Sequence, residues 1–60
     1  MSSLEQFLFE KAVTRYGMIT PCSGRSFREC FTRQEDSIFF WFNDAGGNTH
    51  CIIEREKVPA

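Results

Sequence analysis

The side chains able to do chemistry in this 60-residue sequence are few: three cysteines, Cys22, Cys30 and Cys51, and a single histidine, His50. Thiolate and imidazole together are what zinc favours, so Cys30, His50 and Cys51 are the first constellation to weigh. Their spacing argues against it. Structural zinc sites carry a short C-x₂₋₄-C knuckle, whereas here seven residues separate Cys22 from Cys30, nineteen separate Cys30 from His50, and none separate His50 from Cys51. Nor is a cysteine nucleophile supported. It needs a base beside it, and neighbours such as His50 and Cys51 on a strand point to opposite faces. Cys22, in the loop PCSGR beside Arg25, is the thiol most open to reagents. The odd number and irregular spacing of the cysteines predict unbridged, reduced thiols and no metal, and no cofactor is implied.

Two further features fail in the same way. Glu29 is the one acidic residue predicted near the core, where it would sit at the rim or pair with a cation such as Arg15 in a structural role; no second carboxylate stands with it for acid–base work. The run Asn43-Asp44-Ala45-Gly46-Gly47-Asn48 has paired glycines, but a phosphate cradle must open a helix and this run joins two strands. Asp44 and Gly46 fit a type I turn followed by a left-handed residue. With no pocket or convergent titratable groups to argue, the sequence predicts a protein that is not an enzyme.

The elements that position these residues are legible from composition and period. Ser2 and Glu5 have the spacing of a capping box, Gly17 suits a helix C-terminus, and Lys11 and Arg15 lie toward the end where the helix dipole favours cations. A helix over about residues 3–16 follows. Leu4, Leu8, Phe9, Ala12, Val13 and Tyr16 share one arc, opposite Gln6, Glu10 and Thr14, with Phe7 outside it. Residues 17–25 read as an extended connector. Beyond Ser26 the chain turns aromatic and β-branched, broken near 34–37 and 44–48, which predicts strands at about 26–33, 38–43 and 49–55 and a frayed tail over 56–60. The predicted architecture is α+β: one domain over 1–60, with an N-terminal helix packed on one face of a three-stranded antiparallel meander.

Assigning the sheet faces needs a register. A turn over Glu35 and Asp36 pairs Phe31 with Phe40 and Cys30 with Trp41; a turn over Asp44 to Gly47 pairs Phe40 with Cys51 and Trp41 with His50. The core face is then Phe27, Phe31, Ile38, Phe40, Phe42, Cys51 and Ile53. The other face carries Arg28, Cys30, Thr32, Phe39, Trp41, Asn43, His50, Ile52 and Glu54. Cys30 and His50 would flank Trp41 about 9.5 Å apart at roughly 4.8 Å per strand, too far to share an ion. A loop of three or five residues, or a bulge at Gly46 or Gly47, would exchange the faces of one strand.

The middle strand Ile38-Phe39-Phe40-Trp41-Phe42 is apolar on both sides, the pattern of a strand covered on both faces. One helix covers one face. The sequence therefore predicts a protein interface of Phe39, Trp41, His50, Ile52, Cys30 and Arg28, with a homodimer as the simplest partner and another protein as the next. The alternative is a small ligand- or nucleic-acid-binding protein that stacks its ligand on Trp41 and Phe39, with Arg28 for charge. Charge favours the first. Residues 11–33 hold five cations against Glu29, but residues 34–60 hold five anions against Arg55 and Lys57, and with Glu5 and Glu10 near the N-terminus the net charge is −1. The isoelectric point of 5.7 lies far below the value of about 9 that marks a nucleic-acid-binding domain. No apolar stretch approaches the roughly 20 residues that span a bilayer, and the N-terminus lacks the basic residues of a secretory signal, so the expected location is the cytoplasm.

Overall fold

Local signals start the fold at its N-terminus. In the computed structural model, which describes residues 2–56, helix α1 runs Ser3–Tyr16. The Ser2 hydroxyl accepts from the Glu5 amide at 3.2 Å, and Glu5 Oε1 accepts from the Ser2 amide at 2.8 Å, so two of the helix's orphan donors are satisfied reciprocally. At the other end the Gly17 amide donates to the Val13 carbonyl at 2.8 Å. Leu8 and Ala12 are fully buried beneath the helix, flanked by half-buried Leu4 and Phe9, whereas Val13, Tyr16 and Phe7 are exposed.

The helix lies on one face of an antiparallel sheet of four strands: β1 (Thr20–Pro21), β2 (Phe31–Gln34), β3 (Ser37–Asn43) and β4 (Thr49–Arg55). Strand β3 is central. Strand β4 pairs along its whole length on one side, while β2 and the short β1 pair with its two ends on the other. The core is the helix-facing row of β3, Ile38, Phe40 and Phe42, closed by Leu8, Ala12, Cys30 and Ile52. Phe31 stacks on Phe40 with ring centroids 4.4 Å apart, and Phe9 meets Phe27 edge to face at 5.0 Å. Offset and edge-on contacts of this kind add to the burial of the rings themselves.

Three expectations are corrected. Residues 26–30 are not strand: Phe27–Cys30 form a 3₁₀ turn, and β2 begins only at Phe31. The reason is a second capping box, in which the Glu29 carboxylate accepts from the Ser26 amide at 3.1 Å and from its hydroxyl at 3.0 Å. Glu29 is therefore an exposed cap, and neither lies in the core nor pairs with Arg15. The connector also contains structure, because Thr20 and Pro21 form β1 opposite Asn43 and Phe42, and a second 3₁₀ turn spans Cys22–Gly24. Proline suits this position because an edge strand has a side that need not donate to a ladder.

The third correction is the register of β4. The first hairpin pairs Phe31 with Phe40 and Gln34 with Ser37 as expected. In the second, Phe40 faces Ile52, Trp41 faces Cys51 and Phe42 faces His50, one residue away from the expected pairing. The loop explains the slip. The Gly47 amide donates to the Asp44 carbonyl at 3.0 Å, the Asp44 amide donates to the Asn48 carbonyl at 2.9 Å, and Gly47 takes the left-handed conformation at φ 84°. That is a three-residue turn ending in a left-handed glycine, and its odd length reverses every side chain of β4. The predicted tail beyond Glu56 lies outside the described residues.

Candidate functional site

The register decides which residues share the face that no described element covers. Successive side chains alternate, so the face turned away from α1 carries Ser37, Phe39, Trp41 and Asn43 on β3 and Thr49, Cys51, Ile53 and Arg55 on β4. Phe39 lies opposite Ile53, and Trp41 opposite Cys51. These four form one contiguous apolar block. Trp41 is 43% exposed and Ile53 55%, while Phe39 and Cys51 are half-buried. Polar side chains close the block at both ends. Thr49 donates its hydroxyl to Asn43 Oδ1 at 2.7 Å, and Arg55 Nε stands 3.7 Å from the Asp36 carboxylate.

Of the six residues expected at an interface, Phe39 and Trp41 lie on this face. Ile52 does not: it is 9% exposed and packs into the core beneath the helix, and Ile53 takes its place outside. Cys30 is 2% exposed and belongs to the core, and Arg28 is exposed on the 3₁₀ turn, off the strands altogether. Cys51, expected inside, is outside.

His50 also turns to the helix side. Its ring lies 4.3 Å from that of Tyr16 and 5.6 Å from that of Phe42, and Nε2 meets Asp44 Oδ2 at 2.8 Å. The same carboxylate accepts from the amides of Gly46 and Asn48, both at 2.9 Å. The His50 hydrogen bond, helped by the Asn48 and Gly46 donors, holds the Asp44 carboxyl at about 2, below its ordinary 3.8. Both oxygens of the Asp44 carboxylate tie groups of the turn and the start of β4 together, which is a structural role. Lys11 and Glu54 make a comparable tie at 3.3 Å between the helix and β4.

The remaining chemistry is in the thiols. All three cysteines are free, and Cys22 and Cys30 lie with their sulfurs 3.2 Å apart. Burial pushes the Cys30 and Cys51 thiols up, away from the nucleophilic thiolate form. Among the described residues no group of three or more His, Cys, Asp or Glu is placed to hold a metal ion, and no helix is long and apolar enough to cross a membrane. No protein-family model, no curated protein and no solved structure matches this chain.

Proposed function

We propose that this chain is a non-enzymatic interaction module that works in the cytoplasm and pairs with a second copy of itself through the sheet face bearing Phe39, Trp41, Cys51 and Ile53. The supporting observation is the continuity of that block. Single exposed apolar residues are ordinary, but adjoining aromatic and aliphatic side chains on an uncovered sheet are the composition of an interface. A chain this short hides only roughly 60% of its unfolded surface, so a second copy supplies apolar burial that the monomer lacks. A two-fold pairing presents the same patch from both chains, and the central tryptophan is the residue type most enriched among interface hot spots.

Sedimentation across a dilution series tests this reading. Wild type dissociates on dilution, while Trp41→Ala and Ile53→Lys stay monomeric at concentrations where wild type is dimeric, with circular dichroism unchanged. Arg28→Ala, off the face, associates like wild type. A wild type monomeric at every concentration overturns the proposal. The stacking reading has less support: Trp41 offers a half-exposed ring, but Arg28, the cation expected beside it, lies on the 3₁₀ turn and not on the strands.

A further inference from the structure

We propose that Cys22 and Cys30 are a redox-responsive dithiol, which a low-molecular-weight disulfide converts to an intramolecular disulfide that ties together the two strands on one edge of the sheet.

The argument begins with position. Cys22 follows β1 directly and Cys30 precedes β2 directly, and both strands line the same side of β3. The segment between them loops out of the edge and returns, so that the sulfurs meet at 3.2 Å. A disulfide bond is about 2.05 Å long, and closing it requires an approach of only about 1.2 Å. The chain leaves Cys22 through Ser23, a non-glycine residue at φ 52°. Left-handed backbone of this kind persists where the surrounding structure fixes it.

The two thiols differ in access, which divides the labour. Cys22 is half-buried and reachable from solvent. Cys30 is 2% exposed, and its thiol donates to the Ser26 carbonyl at 3.3 Å. Burial shields the Cys30 thiol and pushes it up, so the more accessible Cys22 is the one to attack first. With oxidised glutathione, the Cys22 thiolate attacks one glutathione sulfur; the glutathione S–S bond breaks, a Cys22–glutathione disulfide forms, and the first glutathione leaves as a thiolate that takes a proton. Cys30 then loses its proton to solvent and attacks Cys22 Sγ, expelling the second glutathione. Two protein thiols are oxidised and one glutathione disulfide is reduced to two thiols. Cys51 stands on the opposite face of the sheet and takes no part.

The test incubates the full chain with oxidised glutathione, caps the remaining thiols by alkylation and maps the products by mass spectrometry. Cleavage after Arg25 and Arg28 puts Cys22 and Cys30 on separate peptides, which only a bridge holds together. The expected product is that linked pair within one chain, two hydrogens lighter, with Cys51 still alkylated. In Cys30→Ser the glutathione adduct on Cys22 persists, and in Cys22→Ser the loss of free Cys30 slows by at least about tenfold because the buried thiol has no relay. A lasting Cys22 adduct in wild type with Cys30 open to alkylation overturns the proposal. So does a bridge to Cys51 or between chains, or Cys30 oxidation at the wild-type rate in Cys22→Ser. If Cys30→Ser does not fold, the wild-type map and Cys22→Ser decide the matter alone.

Discussion

The two glycines of the β3–β4 turn give opposite answers to the same substitution, and the difference measures the register on which the open face depends. Gly47 sits at φ 84°, whereas Gly46 has no positive φ. A Cβ added at Gly47 meets nothing within 4 Å, so the cost of Gly47→Ala is purely the left-handed backbone, roughly 1–2 kcal/mol for an L-residue. A Cβ at Gly46 meets Asn48 Nδ2 and Asp44 Oδ1 at 3.4 Å, the edge of ordinary contact. Both substitutions stiffen the unfolded chain by the same roughly 0.4–1 kcal/mol, which cancels in the comparison. Gly46→Ala is therefore neutral or mildly stabilising and Gly47→Ala is destabilising, with a separation of about 1–2 kcal/mol. At about 4–8 °C per kcal/mol for a domain of this size, their melting temperatures differ by at least about 4 °C. Thermal and urea unfolding followed by circular dichroism reads the difference. Equal costs, or a greater cost at Gly46, would place the left-handed residue elsewhere in the turn and return β4 to the other register.

Other substitutions separate the core from the surface. Phe40→Ala empties the middle of the core, at a cost of about 3–5 kcal/mol. For a chain whose whole stability is roughly 3–9 kcal/mol, that removes a third or more of it and moves the urea midpoint far down; a fully cooperative transition near the wild-type midpoint would contradict the packing. Ser2→Ala removes one half of the N-terminal capping box and costs about 1 kcal/mol by the same assay; no change would mean that the box does not hold the helix. The Asp44 carboxyl is depressed from 3.8 to about 2 on folding, so its contribution is complete above the ordinary value and is lost as pH falls from 3.8 toward 2. The stability gap between wild type and Asp44→Asn narrows across that window, and a gap independent of pH would refute the role given to the carboxylate.

Much of this was legible from residue types alone. Ser2, Glu5 and Gly17 mark the ends of α1, and the apolar run through β3 marks the central strand. The turn at Glu35 and Asp36 has only one length that pairs Phe31 with Phe40. What failed, failed through turns. Ser26 and Glu29 repeat the capping-box spacing of Ser2 and Glu5, but within a segment rich in strand-favouring residues, and there the box prevailed over the propensity. The type I turn followed by a left-handed residue was also readable at Asp44 to Gly47. Taken literally it gives a three-residue loop, and hence Ile53 outside and Ile52 inside. The contact of Cys22 with Cys30 and the pairing of Thr20 and Pro21 with β3 depend on the path of the connector, for which no local pattern speaks.

Trp41 is the chain's one tryptophan and stands at the centre of the proposed interface, so its own fluorescence reports the central claim without a label. Quenching of Trp41 by iodide, followed from dilute to concentrated protein, measures its exposure as the chain associates. Burial against a second copy predicts that quenching falls and emission shifts to the blue with rising concentration, and that both changes are lost in Ile53→Lys. An emission and a quenching constant that do not change with concentration, at values typical of a half-exposed tryptophan, would contradict self-association through this face.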